Sequence, residues 1–186
     1  LASCGSSEPA GGTMKCICIA TDTKSALDTS VFAGSASGWH ISGCWFGVDP
    51  ATGQPYFDLS GSSAFNDPTM ALATYGCKQA NAANTVYAVN GTVGVAKNSA
   101  NPRAEFNVII SGYGADLQGP GHRYSGNFAN VLPDGLHNVD WAQVDGGAQE
   151  GDGDFECGGN GTANLTIGTD GNGVNDAEEG NVFGGS

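Results

Sequence analysis

The residue types best suited to chemistry lie in the last third of the chain, at positions 168–179. Laid against a twelve-residue calcium-binding loop, this segment supplies an oxygen ligand at all but the first ligand position and a glycine at the sharp turn. Calcium takes six to eight oxygens at about 2.3–2.6 Å, and alternate residues of a tight loop point inward at that radius. The sequence predicts a structural calcium site with these ligands: Asp170, Asn172, the carbonyl of Val174, Asp176 and Glu179.

This segment resembles the calcium loops of thrombospondin type 3 and dockerin-type repeats, in which the same pattern of Asp, Gly and Asn recurs. The resemblance covers the loop alone, and it departs at the first ligand position, where Gly168 replaces Asp. It implies a calcium-bound loop in a secreted protein.

The acidic residues of the chain are concentrated around this loop. Residues 124–186 contain eleven Asp and Glu and no Lys or Arg, net −11, whereas residues 1–123 contain eight acids and six bases, net −2. Carboxylates that fold together need counter-ions, so we expect bound cations here unless the segment is a solvated acidic tail. Alternate residues of a strand share a face, which predicts a second cation site at Asp152, Asp154 and Glu156.

A second set of residues suits acid–base catalysis. A carboxylate base, an arginine that holds a phosphate and a histidine acid suffice to cleave RNA through its own 2′-hydroxyl. Glu105, Arg123 and His137 supply these three groups, and the sequence leaves open whether they converge.

The order of these residues is similar to that of the small guanyl-preferring fungal ribonucleases. Glu105 precedes an aromatic residue, the segment 120–123 brings Pro-Gly before an Arg, and an aromatic residue stands near Cys157. The resemblance implies that Glu105 is the base, Arg123 the phosphate ligand and His137 the acid. Against this alternative, a net charge of −13 and a pI near 4.1 disfavour a nucleic-acid partner.

Aromatic residues form a third candidate site. Exposed rings beside Asn, Gln and Asp can stack on sugars, although the same residues also suit the core of a small β domain. The candidate ligand platform consists of Trp39, Trp45, Tyr113 and Tyr124.

The elements that must position these residues are short. Thirty-one glycines in 186 residues favour short strands and many turns over long helices. Segments rich in β-branched and aromatic residues predict strands at 39–48, 85–96, 104–114 and 164–168. An Asp-Pro start predicts a helix at about 68–80, and a shorter one is expected at 22–32.

This pattern predicts a mainly β protein, an antiparallel sandwich or barrel with one or two short helices, with an α+β fold as the alternative. We expect a β-rich core domain at 1–139 and an acidic Gly- and Asp-rich region at 140–186 that packs on that domain or continues it. No apolar run is long enough for a membrane span.

Cysteine and asparagine patterns predict the compartment. An even number of cysteines without zinc or haem spacing favours disulfides, and Asn-x-Thr patterns are acceptors for N-glycosylation in secreted proteins. The cysteines are Cys4, Cys16, Cys18, Cys44, Cys77 and Cys157, and the acceptors are Asn90, Asn160 and Asn164.

These features favour a secreted, non-catalytic extracellular glycoprotein that calcium stabilises. We expect it to act by binding a glycan or a cell-surface protein, or by self-assembly through strand edges. The alternative is a secreted hydrolase that uses Glu105, Arg123 and His137.

Overall fold

The described part of the chain in the computed structural model is built from short strands in parallel sheets. It comprises residues 15–19, 37–55, 70–74, 77–78, 85–86, 89–110, 115–139, 155–156 and 162–184. The strands are β1 Lys15–Ile19, β2 His40–Ile41, β3 Trp45–Phe46, β4 Met70–Thr74, β5 Cys77–Lys78, β6 Thr85–Val86, β7 Thr92–Gly94, β8 Asn107–Ile109, β9 Ala115–Leu117, β10 Arg123–Ser125, β11 Asn127–Ala129, β12 Phe155–Glu156, β13 Thr166–Ile167 and β14 Val182–Phe183.

Twelve of these strands form three four-stranded sheets, and every pairing within the sheets is parallel. We call them sheet A (β1-β4-β9-β12), sheet B (β2-β7-β10-β13) and sheet C (β3-β8-β11-β14). The chain visits the sheets in the same order in each circuit, which is the topology of a parallel β-helix. The circuits are rung 1 (β1, β2, β3), rung 2 (β4, β7, β8), rung 3 (β9, β10, β11) and rung 4 (β12, β13, β14).

Side chains alternate between the inside and the outside of this β-helix, as strand geometry requires. One core cluster is formed by buried residues from all three sheets. Its fully buried members are Val93 and Tyr124 from sheet B, Ile109 from sheet C, and Ala115 and Leu117 from sheet A. The core therefore lies between the three sheets, where successive rungs stack their inward residues.

A ladder of asparagine side chains joins the rungs at the start of sheet C. Asn107 Nδ2 donates to Asn127 Oδ1 at 2.9 Å, and Asn127 Nδ2 donates to Asn181 Oδ1 at 3.1 Å. Each amide also donates to a backbone carbonyl of sheet B in the rung before, at Ile41, Val93 and Tyr124 respectively. Asn107 and Asn127 are fully buried, so these bonds satisfy polar groups that water does not reach.

The expectation of an antiparallel sandwich or barrel is wrong. Antiparallel pairing in the described residues is confined to β5 with β6 and to two isolated bridges, Val48 with Pro55 and Val131 with Asn138. Short strands between glycine turns fit an antiparallel hairpin and one side of a β-helix equally well. Local pattern alone therefore does not reveal which strand a given strand pairs with.

The helix predicted at 68–80 is also wrong where the structure describes it. Residues 70–74 form β4, which pairs with β1 and with β9, so that Leu72 is in register with Ala115. The apolar residues of this stretch fit both strand spacing and helix spacing. Strand pairing on both edges, with β1 and with β9, stabilises the strand. The described helical structure is one 3₁₀ turn at Pro102–Ala104, and the segment 22–32 lies outside the described residues.

The disulfide expectation finds no support in the described side chains. Cys44 is a free cysteine whose thiol lies 3.3 Å from the carbonyl oxygen of Ser42. The side chains of the other five cysteines lie outside the described residues.

Both parts of the expected domain division supply strands to the same sheets. Strands β12, β13 and β14 pair with β9, β10 and β11 respectively. No helix formed by the described residues is long and apolar enough to cross a membrane.

Candidate functional site

Two long loops meet at the corner where the chain passes from sheet B to sheet C. The first, residues 95–106, belongs to rung 2, and the second, residues 168–181, belongs to rung 4. Rung 3 turns this corner with Gly126 alone, whose φ of +62° is in the left-handed region. Because this turn is so short, the two loops come together across it: the Gly126 N–H donates to Glu179 O at 2.9 Å.

Side chains fasten the two loops to each other. Asn175 Nδ2 donates to the Ser99 carbonyl at 2.7 Å, and Asn172 Nδ2 donates to Asn98 Oδ1 at 3.3 Å. Arg103 and Glu178 form an ion pair at 3.6 Å in which the Arg103 side chain is 81% exposed, so the pair contributes little by itself. The corner is therefore a layered structure in which the loop of rung 4, residues 168–181, which we call the acidic loop, rests on the loop of rung 2.

The acidic loop gathers three of the predicted calcium ligands. Oxygen atoms of Asp170, Asp176 and Glu179 all lie within 4.8 Å of one another. Glu179 is completely buried, and the side chain of Asp170 is 17% exposed. Three carboxylates at this spacing repel one another unless positive charge offsets them.

Arg123 supplies that charge from β10. Its Nη2 lies 2.6 Å from Glu179 Oε1 and its Nη1 lies 3.4 Å from Asp170 Oδ2, while Nε donates to the Val95 carbonyl at 3.0 Å. Lys97 Nζ lies 3.4 Å from the same oxygen of Asp170. The sequence places no Lys or Arg after Arg123, which predicts bound cations as counter-ions. In the folded structure Arg123 of rung 3 and Lys97 of rung 2 reach the acidic loop and supply positive charge.

Backbone N–H groups complete the folding of the acidic loop. Asp170 Oδ1 accepts from Asn172 N at 3.2 Å, Asn172 Oδ1 from Val174 N at 2.7 Å, and Asp176 Oδ2 from Gly173 N at 3.1 Å. Gly173 has a φ of +82°, which fits the sharp turn predicted at this position. Hydrogen bonds between the polar groups of the loop therefore hold its conformation. The amide oxygen of Asn172, a predicted calcium ligand, accepts one of them from the loop backbone.

Several of the other sequence-predicted site residues lie outside the part of the chain that the structure describes. Asp152, Asp154 and Asn160 lie outside the described residues, as does the side chain of Glu156. Asn90 and Asn164 are exposed and have positive φ angles of 53°.

The proposed catalytic residues each have structural partners. Glu105 accepts hydrogen bonds from Ala96 N and Ser99 Oγ, both at 2.7 Å, which closes the loop of rung 2. Arg123 is 8% exposed and is occupied by the ion pairs of the acidic loop. In the described residues no ion pair or hydrogen bond joins His137 to Glu105 or to Arg123.

His137 belongs to a hairpin on the outer side of sheet C. Leu132 N donates to the carbonyl of His137, and His137 Nδ1 lies 2.5 Å from Asp134 Oδ2. The Leu136 N–H and the His137 side chain bind the Asp134 carboxylate, so the pKa of Asp134 lies below its usual value. This pair folds a turn that faces solvent.

The aromatic platform is divided by the fold. The stretch predicted as one strand at 39–48 is two strands in different sheets, so Trp39 and Trp45 do not share a strand face. Trp39 packs on the His122 ring at 5.2 Å between centroids, Trp45 is 43% exposed, and Tyr124 lies in the core. Tyr113 lies outside the described residues.

The sequence analysis did not predict the open face of rung 4, by which we mean the unpaired side of β12, β13 and β14 in the described residues, with the side chains of Ile167 and Phe183. In the described residues, β12, β13 and β14 each pair with a strand on one side only. The inward column of sheet B passes through Ile41, Val93, Tyr124 and Ile167, and that of sheet C through Phe46, Ile109, Ala129 and Phe183. In rung 3 these positions are completely buried, whereas Ile167 is 48% exposed and Phe183 is 46% exposed.

The asparagine ladder offered a sequence signal for this arrangement. Asn107, Asn127 and Asn181 each precede two apolar residues that form a strand of sheet C. A repeated Asn followed by two apolar residues therefore marks successive rungs, although the spacing between copies is irregular.

A scan against protein-family models, a search of curated proteins and a search of solved structures found no match to this chain.

Proposed function

We propose that this is a non-catalytic extracellular protein that acts by self-assembly through the open face of rung 4. The observation that supports this proposal is the exposure of the inward-facing residues Ile167 and Phe183, at positions that are fully buried one rung earlier. Glycan binding or attachment to a cell-surface protein is the alternative use of the same exposed face.

Exposed strand edges and apolar surface favour association for two physical reasons. Within the described ranges nothing pairs with the outer edge of β13 or of β14, so the backbone N–H and C=O groups on that side are open to a further strand. Burying a fully exposed large apolar side chain contributes about 1.5–3 kcal/mol, and Ile167 and Phe183, which are 48% and 46% exposed, each contribute roughly half of that. Phe183 adds inward-facing apolar area in sheet C, and Val182, which is 39% exposed, adds apolar area on the outward side of the same strand.

The extracellular assignment rests on sequence patterns. The Asn-x-Thr acceptors and the loop that resembles secreted calcium loops support it. Residues Asn90 and Asn164 are exposed, as a glycan acceptor must be.

The calcium part of the proposal rests on the three clustered carboxylates. Oxygen ligands on Asp170, Asp176 and Glu179 are the type that calcium prefers. A cation at this position has to share Asp170 and Glu179 with the Arg123 guanidinium, so we expect it to tighten a loop that already folds rather than to create it.

A concentration series in analytical ultracentrifugation tests self-assembly. We expect the protein to form larger species with rising concentration, and Ile167→Lys to shift it to monomer because the new charge must be buried. Leu136→Lys is the matched control, since Leu136 is 82% exposed in the hairpin outside sheet C and the charge change is the same. A strict monomer at high concentration would overturn the proposal.

A further inference from the structure

We infer that copies of this chain stack head to tail, so that rung 4 of one copy pairs with the β2–β3 edge of rung 1 of the next. This inference rests on the proposed self-assembly and adds its polarity and register. The partner is a second copy, and the contact faces differ, so the assembly grows as an open filament rather than closing as a dimer.

Strand direction gives the first argument. His40, Thr92, Arg123 and Thr166 are in register along sheet B, and all their strands run in the same direction. A second copy placed with rung 1 on rung 4 continues this parallel pattern at the usual spacing of about 4.8 Å. Both sheets B and C continue at once, because the same translation serves every strand.

The inward columns give the second argument. At the other end of sheet B the column begins with Ile41, and at the other end of sheet C it begins with Phe46. Both residues are partly buried and pack against the core cluster. In a head-to-tail stack Ile167 is covered by Ile41 of the next copy and Phe183 by Phe46, so apolar residues meet apolar residues.

A head-to-head contact breaks the parallel pattern. Where two rung 4 faces meet, their strands run in opposite directions, whereas every pairing within sheets A, B and C is parallel. The head-to-tail contact keeps the strand direction that all three sheets already have.

The junction is weaker than a contact between rungs of one copy. Cys44 holds the ladder position in rung 1, and only its backbone N–H takes part, donating to Asn107 Oδ1 at 2.9 Å. The asparagine ladder therefore stops at each junction, because a thiol is a poor donor to the carbonyl of Ile167. We accordingly expect assembly to be reversible on dilution.

Engineered cysteines test the polarity. In sheet C the outward column runs Trp45, Val108, Phe128 and Val182, and its two end residues are both exposed. A spacing of about 4.8 Å lies within the Cα separation of a disulfide, about 4.4–6.8 Å. Under mild oxidation, a mixture of Trp45→Cys and Val182→Cys proteins should give a 45–182 cross-link, identified by peptide mass spectrometry.

The controls separate polarity from assembly. Val182→Cys alone should give no 182–182 link, and a second pair, His40→Cys with Thr166→Cys, should behave like the first on the outward column of sheet B. A 182–182 link in protein that sediments as an assembly overturns the head-to-tail inference and leaves self-assembly standing. Assembly with neither the 45–182 nor the 40–166 link also overturns it, whereas a strict monomer in sedimentation defeats the proposed function itself.

Discussion

Arg123 places its Nη2 atom 2.6 Å from Oε1 of Glu179, a carboxylate with no exposed surface. The pair joins rung 3 to the far end of the acidic loop of rung 4. A buried ion pair is not by itself strong evidence of stability, because desolvation offsets much of its attraction. Removing one partner, however, leaves the other charge buried and unpaired.

We therefore predict that Arg123→Met lowers the free energy of unfolding by about 3–5 kcal/mol. Arg123→Met combined with Glu179→Met should cost much less than the single change, since no charge is left unpaired. Urea unfolding followed by circular dichroism measures both. If the double variant is as unstable as Arg123→Met, the side chain of Arg123 stabilises the protein through packing rather than through Glu179.

The asparagine ladder makes a second prediction. Asn127→Ala removes the donor to the Val93 carbonyl and the acceptor for Asn107, both in a buried environment. Each buried polar group left without a partner costs about 1–3 kcal/mol, so we expect a loss of about 3 kcal/mol or more. The matched control is Asn101→Ala, because Asn101 is exposed and makes no side-chain cap bond. Equal unfolding midpoints for the two variants in urea would contradict a structural role for the ladder.

The sequence predicts the mainly β character of the protein but not its topology. Glycine-bounded stretches rich in β-branched residues identify β2, β3, β7, β8 and β13 correctly as extended segments. In a β-helix, however, each strand pairs with the strand one circuit away, and the circuits here have unequal lengths. His40, Thr92, Arg123 and Thr166 are register partners at irregular spacing, so no repeat period is visible.

The candidate site likewise has one part that the sequence predicts, the acidic loop, and one part that it does not, the counter-ion Arg123. The acidic loop was predictable because its polar residues and glycines act on one another within a few positions, as Asn172 N on Asp170 does. Arg123 was not predictable as its counter-ion, because it stands 47 residues before Asp170 and reaches it only through the stacking of rungs. Sequence patterns therefore predict turns, whose residues contact one another within a few positions. Contacts between rungs join residues far apart in sequence and can be identified only when the fold is known.

The single-residue turn at Gly126 makes a third prediction. A Cβ here would lie 2.4 Å from Val95 Cγ2 and 2.7 Å from the Glu178 carbonyl oxygen, so Gly126→Ala must displace the two loops. Gly38→Ala is the control, because Gly38 has a similar φ of +69° and no atom within 4 Å of an added Cβ. We expect Gly38→Ala to cost about 1 kcal/mol and Gly126→Ala several times more, by thermal unfolding. Similar melting temperatures would show that φ alone, and not the close approach of the loops, decides the cost.

A fourth prediction concerns the pH dependence of the hairpin outside sheet C, which contains Asp134 and His137. The pKa of Asp134 is lowered by the Leu136 N–H and by His137, so the turn contributes stability above the ordinary Asp pKa and loses it as the pH falls through the lowered value. Following the Asp134 carboxyl carbon by NMR should show the lowered midpoint. In His137→Ala the midpoint should rise part of the way, because the Leu136 N–H remains. An unchanged midpoint in that variant would show that His137 has no electrostatic effect on the carboxylate.

Calcium makes the last prediction. If the acidic loop binds calcium, the melting temperature should be higher in 5 mM calcium than in excess EGTA, because a ligand at a hundredfold excess over its Kd stabilises the folded state by about 2.7 kcal/mol. Asp176→Asn should abolish this difference without disturbing Arg123, since Asp176 accepts bonds from Thr169 Oγ1 and Gly173 N and none from the guanidinium. Asp49→Asn, which changes an Asp in a separate turn, should retain the calcium effect. Equal melting temperatures with calcium and with EGTA in the unmodified protein would assign the neutralisation of the loop to Arg123 and Lys97 alone.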